Sequence, residues 1–324
     1  MPRIRTMTAL GILALAAPAH AEDALQFTFV HPSNTSNVFY QAVQKGMSDA
    51  CAQVGAECQM LYVQNEMDIQ QELANLETAI AQDVDGIMAT IVNDDAYDEL
   101  VKRAIDAGIP VIAVTTDDSK GAEGNARLSF IGQNVGAAGY ALAKDVATLF
   151  PAEGPIHVLL GVSAPGQNWA EARIAGIEKY LGEYKDANPG RVVTWERIDS
   201  GLDLAVTGAR VAAYLQQRPD TTAYFDAGFW EAGAAVALKD LGFEPGQIIL
   251  AGFDTVPQAL EQMKAGYIQR VVDQQPYLQG YLSAIQLYLI NTYGLSGWDV
   301  DTGKAIVTPE AVDQIMDLSL KGIR

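Results

Sequence analysis

The sequence predicts an α/β protein of two similar, doubly wound parallel-sheet lobes joined by a hinge, with a ligand cleft between them. Three observations carry this reading. Apolar strand-like runs alternate with amphipathic helical stretches along most of the chain. The alternation breaks once, around Gly121–Phe130, and then restarts. The chain of 324 residues is long enough for two cores rather than one.

The elements follow in order. Leu25–Val30 alternates and then runs apolar, as a buried strand does, and Phe39–Val54 reads as a helix. Strand patterns recur at Cys58–Val63, Gly86–Val92 and Pro110–Thr115, separated by the amphipathic segments Asp68–Gln82 and Ala96–Ala107. Gly108-Ile109-Pro110 is a helix stop followed by a strand start. This succession builds right-handed βαβ units and a sheet covered on both faces. Asp117–Asn125 is polar and turn-rich, and a short strand, Phe130-Ile131-Gly132, follows it. Beyond the break come strand patterns at Ile156–Val162, Val192–Ile198, Thr222–Asp226, Ile248–Phe253 and Ile268–Asp273. Helical stretches lie among them at Ala170–Leu181, Leu204–Gln217 and Glu231–Leu241, and Tyr277–Tyr293 is a final helix expected to cross back to the first lobe.

The N-terminus and the charge narrow the setting. Arg3 and Arg5 precede an apolar run from Ala9 to Ala17, then Pro18 and Ala19-His20-Ala21, the pattern of a secretory signal peptide over residues 1–21. A membrane anchor is the competing reading, but the run falls short of the ~20 apolar residues a spanning helix needs. No cysteine follows the cleavage site to carry a lipid. The protein is therefore expected in the periplasm. With 21 Lys and Arg against 40 Asp and Glu, it repels phosphate backbones and anionic lipid, so nucleic acid is not an expected partner. In an oxidising compartment Cys51 and Cys58 form a local disulfide, or else remain two buried thiols. With only His31 and His157 beyond the leader, no metal or other cofactor is expected.

In open α/β sheets ligands sit at the carboxyl ends of the strands. The first such loop, His31–Tyr40, contains no glycine to let backbone amides approach a phosphate; it offers hydroxyls, amides and two aromatic rings. Phe39, Tyr40, Trp169, Phe229 and Trp230 all fall at or just past strand ends, and ring faces cover the C–H faces of sugars. Thr90, Thr115, Asp117, Arg173, Asp254 and Gln274 add hydrogen-bonding groups. The plainer alternative for any single ring is core packing, and for Arg173 a surface ion pair. No phosphate loop, zinc-protease helix or serine elbow occurs, and the near-calcium pattern Asp299–Gly303 reads as a polar turn. Nothing nominates an enzyme.

With these motifs in place, the chain resembles the periplasmic sugar-binding proteins of the ribose-binding type, the substrate-binding components of ABC importers. Asn37-Val38-Phe39-Tyr40 is similar to that family's ligand loop, Arg173-Ile174-Ala175-Gly176-Ile177 to the segment whose arginine holds the sugar, and Gly252-Phe253-Asp254 to its Gly-Phe-Asp. Asp273-Gln274-Gln275-Pro276 is similar to the hinge segment with a ligand-binding glutamine, and Asp85-Gly86-Ile87 and Gly108–Ile112 to strand entries. The resemblance implies a type I periplasmic binding fold with chain crossings near Phe130–Asn134, Asp273–Gln275 and Gly303–Ala305. The first lobe would hold residues 22–130 and 275–303, the second residues 131–274 and 304–324.

The resemblance also implies a binding site formed by Asn37, Phe39, Tyr40, Thr90, Thr115, Asp117, Trp169, Arg173, Gly228, Phe229, Asp254 and Gln274. Three departures stand out, one being Thr90 in place of an asparagine after the third strand. Thr115-Thr116 replaces an Asp-Arg pair, so a carboxylate would come from Asp117 or be missing. Gly228-Phe229 replaces an Asn-Asp. The expected ligand is thus a monosaccharide other than ribose, a deoxy sugar, a polyol or a cyclitol, with an autoinducer also conceivable. The expected partners are a membrane permease and, in a second role, a chemotaxis transducer; the protein itself is expected to be a monomer. Two competing classes are weaker: a repressor would need an N-terminal helix-turn-helix, and a secreted sugar-processing enzyme would need turnover.

Overall fold

A computed structural model describes residues 24–324. The signal-peptide reading lies outside the described residues.

The first sheet gathers β1 (Gln26–Val30), β2 (Glu57–Leu61), β3 (Gly86–Ala89), β4 (Val111–Thr115) and β5 (Ser129–Gly132). Helices α1 (Val38–Val54), α2 (Ile69–Ala81) and α3 (Asp98–Asp106) connect the first four strands. After β5 the chain leaves this sheet and enters α4 (Val135–Val146). The second sheet gathers β6 (Ile156–Val162), β7 (Val193–Asp199), β8 (Ala223–Asp226), β9 (Ile249–Phe253) and β10 (Ile268–Asp273). Its helices are α5 (Asn168–Ala187), α6 (Leu204–Gln217), α7 (Glu231–Asp240) and α8 (Pro257–Lys264). Then α9 (Pro276–Tyr293) returns to pack on α1 and on β3, β4 and β5. β11 (Val300–Asp301) pairs with β5, β12 (Ala305–Val307) pairs with β10, and α10 (Val312–Leu320) lies against α8.

The orders β11-β5-β4-β3-β1-β2 and β12-β10-β9-β8-β6-β7 are the same order twice. All pairs are parallel except β10 with β12. The central strands explain their own place. Every residue of β3, β4, β8 and β9 is buried, as a strand covered on both faces requires, while the edge strands β2 and β7 are part exposed. Helix starts are set locally: the Asn37, Asp68, Asn134 and Asp203 side chains accept from backbone N–H groups in the first turn of α1, α2, α4 and α6.

The chain passes between the sheets three times, at residues 133–134, 274–275 and 302–304. Side-chain amides tie these passages together. Gln133 Nε2 donates to Gly303 O (2.9 Å), and Gln275 Nε2 to Thr302 O (2.5 Å). Gln279 Nε2 donates to Gln274 O and to Thr302 Oγ1, both at 3.0 Å. The near-calcium segment belongs to this network. Asp299 Oδ1 accepts from Phe130 N–H, and Asp301 Oδ1 from the Asn134 and Gly303 N–H groups, so it is a polar turn.

In each lobe the helix that starts at a passage is packed backbone to backbone on a neighbour. A methyl at Gly46 would stand 2.0 Å from Tyr277 O, and one at Gly280 2.0 Å from Val43 O, where α1 crosses α9. Gly139 and Gly176 play the same part between α4 and α5, at 2.1 Å from Arg173 O and 2.2 Å from Gly136 O. Each pair joins a helix that starts at a passage to the helix that follows the first strand of its lobe. Cys51 and Cys58 are disulfide-bonded, closing the turn between α1 and β2.

We expect Gly280→Ala to destabilise the protein by about 1–3 kcal/mol through overpacking. Urea unfolding of the ligand-free protein would measure it, with Gly182→Ala, where a Cβ meets nothing within 4 Å, as a control expected to stabilise α5 by about 0.5–1 kcal/mol.

Candidate functional site

The carboxyl ends of the two sheets face each other across a cavity. The first lobe lines it with Asn37, Phe39, Tyr40, Met67, Thr115 and Thr116; the second with Trp169, Arg173, Gly228, Phe229, Trp230 and Asp254. Gln274, on the second passage, completes the wall.

Helix α1 delivers Phe39 and Tyr40 because Asn37 caps it: Asn37 Oδ1 accepts from Phe39 N–H (3.1 Å). The Asn37 amide N is itself held by Glu66 Oε1 (2.7 Å). Tyr40 is braced from behind by the buried His31, whose ring stacks on it with centroids 4.2 Å apart, and Phe39 stands perpendicular to Tyr40 at 5.1 Å. Burial pulls the His31 pKa down to about 3, so this imidazole is neutral packing material.

The aromatic part of the second wall is set by Asp226. Its carboxylate accepts from Ser163 Oγ (2.6 Å), Ser200 Oγ (3.0 Å), the Gly228 N–H (2.9 Å) and the Tyr224 hydroxyl. That fixes the loop Gly228-Phe229-Trp230, where the two rings stack at 4.6 Å and Trp169 lies 6.3 Å from Trp230. A side chain at Gly228 would strike the Trp230 ring at 2.2 Å, so this position must be glycine for the stack to form.

Arg173 and Asp254 supply the charge. Arg173 is 4% exposed; its Nη1 donates to Ala227 O (2.7 Å) and its Nη2 to Gln133 Oε1 (3.1 Å), while Nε has no partner. The guanidinium lies 4.0 Å over the Phe253 ring, and burial lowers its pKa to about 10. Asp254 accepts from Gln274 Nε2 (2.6 Å). Burial raises its pKa to about 6, against the pull of the Arg173 charge and of that hydrogen bond. The two groups sense each other's charge but form no ion pair. Arg173, with one guanidinium N–H unpartnered, and Asp254, whose carboxylate has room for further donors, therefore line one cavity.

Backbone strain gathers here too. Of the five non-glycine residues with positive φ among the described residues, Met67 (62°), Thr115 (67°) and Asp254 (71°) line the cavity, and Gln275 (56°) is the next residue after Gln274. A left-handed β-branched residue such as Thr115 is an outlier, and such strain concentrates at binding sites.

Comparison with known proteins decides the family. The periplasmic binding protein domain matches residues 27–291. The chain belongs to that family. A xylose/arabinose-binding protein of Sulfolobus acidocaldarius is 29% identical over 290 residues, covering 85% of this chain and 69% of that protein. A carbohydrate transporter of Acidothermus cellulolyticus, solved with myo-inositol, superposes with TM-score 0.79 at 26% identity, over 93% of this chain and 100% of its own. A solute-binding protein of Burkholderia graminis, solved with D-arabinose, gives 0.77 at 27%, over 90% and 97%. These are substrate-binding proteins, and this chain is one as well, not an enzyme.

Within this binding protein, ten of the twelve residues expected at the site from the sequence do line the cavity. Thr90 does not: it is fully buried one layer behind, its hydroxyl 3.3 Å from that of Thr115. Asp117 does not either. Arg127 Nε donates to its Oδ1 at 3.0 Å and Nη2 to its Oδ2, and this ion pair turns the carboxylate away. Met67 is a lining residue that the sequence reading did not single out, and Thr116, noted there only within a departure, lines the cavity too. Among the described residues, no helix is long and apolar enough to cross a membrane.

The Asp254 carboxyl binds its proton more tightly in the folded chain than unfolded. Its contribution to stability is therefore greatest below about pH 4 and is lost as pH rises through about 6. Between those limits we expect stability relative to Asp254→Asn to fall by about 3 kcal/mol, read from chemical denaturation of the ligand-free proteins at a series of pH values.

Proposed function

We propose that this protein is the substrate-binding component of an ABC importer and takes a neutral monosaccharide, polyol or cyclitol in the interlobe cavity. The observation that carries the reading is a ring-lined cavity whose wall holds one guanidinium and one carboxylate that are not paired with each other. Relatives named for xylose, arabinose, ribose and allose, and neighbours solved with myo-inositol and D-arabinose, support the ligand class.

In this reading the rings of Phe39, Tyr40, Trp169, Phe229 and Trp230 cover the ligand's C–H faces. Arg173, Asp254 and Gln274 bond its hydroxyls with charge-assisted or buried hydrogen bonds, which reject a ligand lacking them. The lobes, residues 24–132 with 276–301 and residues 135–273 with 305–324, close on the ligand about the three passages. Closure has its own contacts. Asn168, at the start of α5, donates its N–H to Val92 O (3.0 Å) and its side-chain amide to Asp94 Oδ1 (2.7 Å) and Asp117 O (3.3 Å), all in the first lobe. The closed form then docks on the membrane permease, acting as a monomer in the periplasm after removal of residues 1–21.

Arg173→Ala is expected to cost ~2–5 kcal/mol of ligand affinity with the fold retained, because a ligand hydroxyl is left buried and unpaired. Unchanged affinity in calorimetry would take Arg173 out of the site. Because the ionised Asp254 is the acceptor, affinity should fall roughly tenfold for each pH unit below about 6, and Asp254→Asn should abolish that slope. Asn168→Ala should weaken binding by raising the off-rate, although Asn168 touches no ligand in this reading.

A further inference from the structure

The distribution of charge inside the cavity narrows the ligand class. The repeated strand order places β4 and β9 at equivalent positions in the two sheets. Thr115 closes β4 and Asp254 follows β9, and both have a left-handed backbone, at 67° and 71°. The fold thus extends two matched arms into the cavity, one from each lobe. The second lobe's arm ends in a carboxylate and the first lobe's in a hydroxyl.

That hydroxyl is already engaged, 3.5 Å from the Tyr40 hydroxyl and 3.3 Å from that of Thr90. The rest of the first wall carries no charge: beyond Thr115 its polar groups are the neutral hydroxyls of Tyr40 and Thr116 and the Asn37 amide. Met67 is held there by a left-handed turn and by its N–H donating to Pro32 O (2.6 Å). Phe39 offers a ring, and the Asn37 amide is spent on the helix cap and on Glu66. Both charged side chains that line the cavity, Arg173 and Asp254, lie on the second lobe, with Gln274 bonded to Asp254. A sugar hydroxyl turned to the first wall would lose water and find no charged partner, whereas a C–H edge would pack against Met67 and Phe39 at no such cost.

We propose that the ligand is a pyranose that turns a hydroxyl-free edge, that of a pentopyranose or a 6-deoxyhexose, to Met67 and Phe39 and its polar edge to Arg173, Asp254 and Gln274. This rests on the sugar-binding reading above. Discrimination against the corresponding hexose follows from one hydroxyl left without a charged partner and amounts to roughly ten- to a hundredfold.

The test is calorimetric titration with matched sugars: D-xylose against D-glucose, L-arabinose against D-galactose, L-fucose against L-galactose, L-rhamnose against L-mannose, with myo-inositol as the ligand hydroxylated all round. The expected result is that the tightest ligand is the hydroxyl-poor member of its pair, by tenfold or more, and the pair in which it falls tells a pentose from a 6-deoxyhexose. Thr115→Asp supplies the missing carboxylate on a backbone that suits aspartate better than threonine, so the preference should shrink or reverse. Met67→Gln should shrink it as well, by a separate route. A hexose or myo-inositol binding as tightly as the hydroxyl-poor sugars, or a preference untouched by both variants, overturns the proposal and leaves the sugar-binding reading standing. Binding of no sugar in the panel overturns the proposal, and the sugar-binding reading falls with it if D-ribose, D-allose and linear polyols also fail to bind.

Discussion

Everything at the cleft depends on a buried guanidinium and a buried carboxylate that are kept apart. Desolvating either costs several kcal/mol, and a direct ion pair would return part of that cost. The fold withholds the pair. Arg173 is turned to the carbonyl of Ala227 and the amide of Gln133, and Asp254 to the amide of Gln274. Each keeps hydrogen-bonding capacity unused, a stored electrostatic deficit that a bridging polyhydroxy ligand relieves. A ligand that relieves it only when both walls are in place binds the closed form better than the open one, and that difference in affinity is what shifts the population.

The same residues are wired to the passages between the lobes. Gln133 links the first passage to the third through Gly303 and also holds Arg173; Gln274 lies on the second passage and holds Asp254. The glycine contacts between α4 and α5 and between α1 and α9 leave no slack, so the helices that carry Arg173, Phe39 and Tyr40 move with the helices that begin at the passages. Rigid lobes about a short polar hinge follow from this packing.

Much of this was legible in the chain. Strands buried on both faces announce themselves as apolar runs, and β6 and β10 have the bounds the sequence suggests, because no competing pattern crosses them. The residues missed have physical reasons. Helix α4, with the sequence VGAAGYALAKDV, is rich in small residues whose role is close packing, so its polar face is faint. Asp117 looked available because nothing in the sequence says that Arg127, ten residues on, folds back to bind it. Met67 lies in the loop after an edge strand, and an apolar residue with positive φ gives no local sign of itself. Asn37 reads correctly as a site residue, yet its amide serves the helix start and Glu66.

The central claim is that ligand bridges the lobes through Arg173 and Asp254 and holds them closed. The direct measurement is the distance between spin labels on Lys102→Cys in α3 and Lys239→Cys in α7, both exposed positions on opposite lobes. The account predicts a distribution that includes long separations without sugar, collapses to one short distance with a bound sugar, and fails to collapse when Arg173 and Asp254 are replaced. Identical distributions with and without saturating ligand would contradict it.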